Sequence, residues 1–403
     1  MGQKYDIVII GGGIIGTSTA FHLANDKLKI AIINSTSLGT PASVAAAGLF
    51  QIQLGELENP ILKTFCIDSF EYFLNFFKEL QTYELIKNID LGFKQVGSLY
   101  LIRSSAEIAH KELEVNEIKN HVRASFLNKR ELTKYEPRIS KDIIGAYHFP
   151  DEGFINNTRF LKAITSICID KKVSFIKEEV IKINLSNNKI TNILLSNEET
   201  VGADTYLLCN GAWANKLLNK LQNINIIKGI KGEIIQIAIP DNCPIERVIF
   251  CHDGYILPRP RTNNFEVNSL IAGGTSEEVN LEEKNTFVFN NTISGIGFLT
   301  KLIQELLPGC KNYPIIKAWS GVRPTTLDNI PVISESEITN LFYGLGHYRN
   351  GILMGPLTGK ILRDLIVGKN QYNIEPFKIS RFLTNTKARD SKIEKSVQLT
   401  SMH

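Results

Sequence analysis

Apolar residues recur along this chain at several different spacings, and the changes of spacing mark its elements. Tyr5-Asp6-Ile7-Val8-Ile9-Ile10 is a run of strand length, nearly continuous in apolar character, as suits a strand covered on both faces. Ile14 to Ala24 is compatible with a helix, and Lys29-Ile30-Ala31-Ile32-Ile33 reads as a second strand. From Pro60 to Ile86 the spacing is helical and predicts an inward stripe of Leu62, Phe65, Cys66, Ser69, Phe70, Phe73, Phe76, Phe77 and Leu80. Aromatic residues at that spacing are read as core.

Phe93 to Ile102 then predicts a strand, and Ser105 to His121 a polar helix. A helix over Phe160 to Ile169 and a strand at Val173-Ser174-Phe175-Ile176 lead to Glu179-Val180, followed by strand-like runs at Ile190 to Ser196 and Thr205 to Cys209. Glu233 to Ile239, Val248 to Leu257 and Leu270 to Gly274 alternate as antiparallel strands do. Leu341 to Gly346 and a helix from Ile352 to Val367 restore the strand-helix order, and beyond Phe382 a polar Lys/Ser/Thr-rich segment predicts a loose tail. There is no internal repeat. The order predicts an α/β chain, α+β overall: parallel strand-helix units at both ends around an antiparallel centre.

Size and charge narrow the class. A chain of 403 residues exceeds one compact core and fits two domains, one interrupted by the other. Lys+Arg 45 against Asp+Glu 41, with no basic block, argues for neither nucleic acid nor an anionic membrane. Asp6 and the glycines that follow spoil the first apolar run as a signal sequence, and no stretch approaches a membrane span, so a cytoplasmic location is expected. Cys66, Cys168, Cys209, Cys243, Cys251 and Cys310 contain no C-x-x-C pair and no His-rich neighbourhood, which predicts reduced, mostly buried thiols and no metal site.

Gly11-x-Gly13-x-x-Gly16 lies between the first strand and the first helix. In that context each glycine has a physical reason. Gly11 allows an abrupt turn, Gly13 lets backbone approach a pyrophosphate, and Gly16 permits close helix-strand packing. The anion would rest on the helix N-terminus. Asn34 closes the second strand where Asp or Glu usually holds the adenosine ribose, so the residues alone leave FAD, NAD and NADP open. Gly39 to Leu49 is almost devoid of bulky or charged side chains, which suits either a large ligand against the backbone or a small-residue packing site. Cys209-Asn210-Gly211-Ala212-Trp213, a strand running into a glycine turn and a helix, is a second place where backbone can meet a ligand.

These pieces, together with Gly254-Tyr255-Ile256-Leu257-Pro258-Arg259, Ala272-Gly273-Gly274-Thr275, Trp319-Ser320-Gly321-Val322-Arg323-Pro324-Thr325 and Gly346-His347-Tyr348-Arg349-Asn350-Gly351-Ile352-Leu353, resemble the flavin-dependent D-amino-acid oxidase superfamily. The resemblance covers about residues 5 to 375 and is nearest to the glycine oxidase branch of the thiamine pathway. It implies a Rossmann-like FAD-binding domain from 1–90, 151–225 and 325–375, a substrate domain on a mixed, largely antiparallel sheet from 91–150 and 226–324, and a tail at 383–403. FAD would lie along Gly11, Gly13, Ile14, Ile15 and Gly16, with Asn34 and Ser35 at the ribose. Ala42, Ser43, Ala47, Gly48 and Leu49 would line the ribityl chain and flavin. Val180 would meet the adenine, Gly211 the dinucleotide, and His347, Tyr348, Arg349, Asn350, Gly351, Ile352 and Leu353 would close over it. Two positions depart from the family pattern: Asn34, commonly Glu, and Asn210, where a small residue is usual. Covalent attachment in some relatives uses a cysteine, whose place is held here by Gly321, or a histidine near the small-residue loop. No His lies between Asn34 and Gln53, so the expectation is non-covalent FAD.

The same resemblance implies a small amino acid or amine as substrate and dioxygen as acceptor. A carboxylate is best held by a guanidinium. Arg323 and Arg349 are the candidates, with Tyr255 beside the substrate and Ser276 at its side-chain end. A clamped substrate can pass hydride from its α-carbon to flavin N5 without an acid/base residue, giving hydrogen peroxide and an imine or 2-oxo acid. For His252 the plainer reading is structural. The implied partners are substrate and O2 only, in a homo-oligomer that is tetrameric by family. Two rivals stay open at this level: a flavin dehydrogenase delivering electrons to a quinone or partner subunit, and a non-catalytic nucleotide-binding module.

Overall fold

A computed structural model describes residues 3–35, 42–52, 59–242, 245–261, 267–281 and 288–383. Two large sheets organise them. The first runs in the order Val332–Glu335, Leu341–Leu345, Thr200–Leu208, Gln3–Ile10, Ile30–Ile33, Ser174–Ile176. Its members are parallel except for the antiparallel edge strand Val332–Glu335 and the hairpin of Val180–Ser186 and Lys189–Leu195, which pairs on Thr200–Leu208. Ile7, Ile9, Ile30, Ile32 and Leu207 belong to the core on one face, while Val8, Ile10, Ala31, Ile33 and Leu208 belong to the core on the other. With both faces buried few positions are left for polar residues, which is why the central parts of these strands read as nearly continuous apolar runs.

Helix Pro60–Gln81 buries the nine residues its spacing predicts, and Ile67 besides. Asn59 starts it by accepting from Ile61 N at 2.9 Å, with Pro60 in the first turn. Its aromatic stripe stacks on the chain beside it, Phe77 on Phe93 at 4.1 Å and Phe73 on Phe50 at 5.6 Å between ring centres.

The second sheet has the order Glu277–Val279, Ile227–Ala238, Ser269–Gly273, Gly254–Arg259, Val248–Cys251, Ser98–Ile102, Gly145–Phe149, Ser125–Asn128, and Ile315–Thr326 also pairs on Ile227–Ala238. It is antiparallel except between Val248–Cys251 and Ser98–Ile102. One face packs on helix Ile293–Leu306, where Ile235 and Ile237 meet Leu299, Leu302, Ile303 and Leu306. The alternate residues Gly232 and Ile234 face a cavity.

Several elements differ from the sequence expectations for identifiable reasons. Val248 to Leu257 is a hairpin rather than one strand, turning at His252 and Asp253, with the Asp253-Gly254 dipeptide set one residue later than in the usual two-residue turn. The strand expected over Phe93 to Ile102 shortens to Ser98–Ile102, because Gly97 takes φ +79° just before it. Helix Ile293–Leu306 is hidden in the sequence by Gly295 and Gly297. Gly295 lets the helix pass close over Glu233, since a Cβ there would lie 2.3 Å from that carboxylate. Cys66, Cys168, Cys209, Cys251 and Cys310 are buried thiols outside any disulfide among the described residues. Cys243, the Gly39–Pro41 part of the small-residue segment and the expected tail from residue 384 onward lie outside the described residues.

Candidate cofactor and substrate site

A cavity of about 740 Å³ is lined by strand ends, turns and helix starts from both sheets. Its glycine loop is fixed by backbone contacts. Gly11 has φ +113°, and a Cβ there would stand 2.3 Å from Cys209 O; one on Gly16 would stand 2.0 Å from Gly11 O. The helix that follows, Ile14–Leu23, has Gly13 as an extended N-cap with no side-chain cap bond of its own and no acidic residue in its first turn. Two side chains tie the loop instead: Ser43 Oγ accepts from Ile14 N at 2.9 Å, and Asn34 Oδ1 accepts from Gly12 N at 2.9 Å.

A second helix, Gly351–Ile366, also starts at the cavity, with Asn350 as N-cap and no side-chain cap bond. Glycines hold the two helices together, since a Cβ on Gly359 would meet Ser18 C at 2.6 Å and one on Gly355 would meet Ile14 Cγ1 at 2.8 Å. Two adjoining helix starts, each lacking its own acidic cap, favour a bound anion. Before the second start the chain is tightly bent: Gly346 has φ +77° and Tyr348 φ +47°, a conformation uncommon for a non-glycine residue. His347, buried beside them, places Nε2 3.0 Å from Thr358 Oγ1, and burial pushes its pKa down to about 3. It is therefore neutral at pH 7 and unsuited to accepting a proton.

The small-residue segment forms another wall. Ala42–Ala45 is a short helix, and Ala42, Ser43, Ala45, Ala46, Ala47, Gly48 and Leu49 all line the cavity. Gly48 has φ +77°, and a Cβ on it would meet Ile155 O at 2.0 Å. Gly321 approaches from the other sheet so closely that a Cβ would stand 2.4 Å from that of Ala45. A cysteine has no room at Gly321 unless Ala45 moves.

Two polar side chains reach the cavity by crossing glycines on neighbouring strands. In the antiparallel ladder Gly232 pairs with Gly321 and Ile230 with Arg323. Arg323 folds diagonally over Gly232, where a Cβ would lie 2.2 Å from Nη2, and its Nη1 donates to Thr275 O at 3.2 Å. Tyr255 pairs with Gly273 and lies over it; a Cβ there would be 2.3 Å from the phenol oxygen. Burial pushes the Tyr255 phenol up against the lowering pull of Arg323, Arg349 and Arg259, so it stays protonated and can donate. Arg349 lines the same cavity from an exposed position, 5.2 Å from the Tyr348 ring. Two guanidinia and a phenol facing one space suit a carboxylate.

Of the residues singled out in the sequence, Gly11, Gly13, Ile14, Ile15, Asn34, Ser35, Ala42, Ser43, Ala47, Gly48, Leu49, Val180, Gly211, Tyr255, Arg323, His347, Tyr348, Arg349, Asn350, Gly351 and Ile352 line the cavity. Gly16 serves the packing beneath it, Leu353 is buried in the helix core, and Ser276 is exposed, off the cavity wall. His252 lines it as well, exposed at the hairpin turn. Sequence reasoning missed Tyr100, Phe250, Asp253, Gly232 and Lys216. Tyr100 and Phe250 become neighbours only through the parallel pairing of their strands. Lys216, 3.7 Å from Glu179 beside Val180, had a readable signal in its place one turn after Gly211.

The model of the family described as "DAO: FAD dependent oxidoreductase" matches residues 6–365. The chain is 29% identical over 381 residues to the bifunctional protein ThiO/ThiG of Trichormus variabilis, covering 94% of this chain and 55% of that protein. It thus spans about half the length of that relative. Similarity to the glycine oxidase of Geobacillus kaustophilus is 27% over 395 residues, covering 95% of this chain and 98% of the relative. The crystal structure of glycine oxidase from that organism superimposes with a TM-score of 0.83 at 26% identity, over 94% of this chain and 98% of the other. The glycine oxidase structure from Bacillus cereus gives 0.81 at 28%, over 92% and 96%. This chain belongs to the DAO family of FAD-dependent oxidoreductases.

Proposed function

We propose that the protein oxidises glycine or another small amino acid, such as sarcosine or D-alanine, holding FAD without a covalent bond and using dioxygen as acceptor. The observation that carries this reading is the placing of Arg323 and Tyr255 across Gly232 and Gly273, facing the cavity that also holds the glycine loop. The residues present fit FAD: glycines whose Cβ positions are already filled by backbone, two adjoining helix starts and a wall of alanines. Gly11, Gly13, Ile14 and Ser43 would hold the pyrophosphate side, Asn34 and Ser35 the ribose, Val180 the adenine, and Ala47 to Leu49 the ring. When bound, FAD supplies the two-electron acceptor for the substrate's α-carbon hydrogen and returns those electrons to O2.

The chain's own residues supply position and charge. Arg323, with Arg349 beside it, binds the carboxylate, and the protonated Tyr255 donates to it, so the α-carbon is presented in one orientation. His347, held neutral by burial, is a poor proton acceptor, in keeping with a reaction that needs only a neutral substrate amine. The substrate loses a hydride and an amine proton, and water then converts the imine to a 2-oxo acid and the free amine, ammonia from glycine or D-alanine and methylamine from sarcosine. Likeness to proteins named ThiO/ThiG supports use of that imine in thiamine thiazole synthesis. The strands of the two sheets support a cofactor domain and a substrate domain, and a cytoplasmic homo-oligomer completes the reading. No helix among the described residues is long and apolar enough to cross a membrane.

Purified protein supplied with FAD and glycine, sarcosine or D-alanine should consume oxygen and form an equal amount of peroxide. Turnover only with an added dye would make it a dehydrogenase, and no turnover with any of them would sink the reading. Gly232→Ala gives a finer check. Its methyl must displace the Arg323 guanidinium while the fold tolerates the change, because the clash is with the far end of a flexible side chain rather than with backbone. Specificity for the amino acid should fall on the order of 10²-fold, with FAD affinity unchanged. Unaltered kinetics would show that Arg323 acts from another position.

A further inference from the structure

Behind the alanine wall, backbone carbonyls of the small-residue segment are taken one after another by donors from distant parts of the chain. Asn157 Nδ2 donates to Ser43 O at 2.7 Å and to Val44 O at 2.9 Å, Trp319 Nε1 donates to Ala45 O at 2.9 Å, and Ile155 N donates to Gly48 O at 2.7 Å. Ala47 O is taken by Nη2 of Arg259, which also reaches Ile155 O at 3.4 Å. The guanidinium lies 5.2 Å from the Phe154 ring.

This arginine has an unusual setting. It sits four residues beyond Tyr255 on the same strand and therefore on the same face. No carboxylate pairs with it among the described residues, and its Nη1 is buried without a partner. Burying an unpaired cation is costly. A carbonyl alone could be satisfied by a neutral donor at lower cost. The cation is nonetheless retained one peptide group away from the cavity, since Ala47, whose oxygen it holds, lines that cavity.

We infer that Arg259 is a positioning residue that holds the Ala47 carbonyl back from the cavity and so sets the Ala47–Leu49 backbone at the distance the flavin ring requires. The inference rests on the FAD reading above. Arg259 does not itself line the cavity; it acts through the peptide groups of the wall, with Trp319 and Asn157 doing the same for Ala45, Val44 and Ser43.

The test is FAD titration of the apoproteins of wild type, Arg259→Met, Arg259→Gln and Arg259→Lys, read by flavin absorbance and by the visible circular dichroism of the bound flavin. Arg259→Met should weaken FAD about tenfold or more, the loss of one charge-assisted hydrogen bond, and should alter the dichroism of what still binds. Arg259→Lys, which keeps a charged donor, should recover most of both, and Arg259→Gln should fall between. If Arg259→Met does not fold, Arg259→Gln decides in its place. Wild-type affinity and an unchanged flavin spectrum in the variant that folds would overturn the assignment while leaving the cofactor reading intact. A wild-type protein that takes up no FAD would overturn both.

Discussion

Arg323→Ala is expected to raise KM for the amino acid roughly 30- to 4,000-fold with FAD still bound, the fold-change that corresponds to losing a buried charge-assisted contact of about 2–5 kcal/mol. The reasoning is geometric before it is energetic. Arg323 reaches the cavity only because Gly232 leaves the facing strand bare, and its Nη1 is steadied by Thr275 O at 3.2 Å. Truncation removes the donors without disturbing the ladder that pairs residue 323 with Ile230, so the fold and the glycine loop should persist. Arg323→Lys should give an intermediate value, since an ammonium keeps the charge but not the paired donors that match a carboxylate. Steady-state kinetics with glycine, alongside FAD content, checks this. A normal KM in Arg323→Ala would remove Arg323 from the site.

Gly11→Ala should have the larger effect on the whole protein, abolishing FAD binding and lowering thermal stability. Two costs combine there. An alanine at φ +113° carries backbone strain of about 1–3 kcal/mol. Its methyl would also stand 2.3 Å from Cys209 O and 2.5 Å from Cys209 C, forcing overpacking of about 1–3 kcal/mol. Because the neighbours are backbone, relief requires moving the strand end at Cys209, which lines the same cavity. Gly368→Ala separates the two costs, since Gly368 has φ +69° with nothing within 4 Å of a Cβ. Thermal melts should show a much larger loss for Gly11→Ala than for Gly368→Ala. Equal losses would mean that the close approach to Cys209 is not what fixes the loop.

Features set by neighbours in sequence were readable from sequence. The Gly11, Gly13 and Gly16 spacing announces the turn, and the inward stripe of Pro60–Gln81 is the one its helical period requires. The bare stretch before Leu49 marked a wall without saying what stands behind it. Features set by register between distant strands were not readable. Nothing near Gly232 or Gly273 says that Arg323 and Tyr255 will lie across them, because that follows from strand pairings between segments far apart in the chain. Ser276 shows the same limit from the other side. It lies close to Gly273 in sequence, yet it is exposed, and Gly273 is the residue that faces Tyr255. Asn34 departs from the acidic residue usual at its position, and in the structure its amide oxygen is committed to Gly12 N. Asn34 thus also fixes the glycine loop, a contact across 22 residues that the sequence does not announce.

The most direct measurement is an anaerobic titration of the purified yellow holoprotein with glycine, sarcosine and D-alanine, following flavin absorbance in wild type and Arg323→Ala. Bleaching of the wild type by at least one of these amino acids, with the midpoint moved to much higher concentration in the variant, is the expected result. Flavin that none of them bleaches, or a midpoint indifferent to the loss of Arg323, would contradict it.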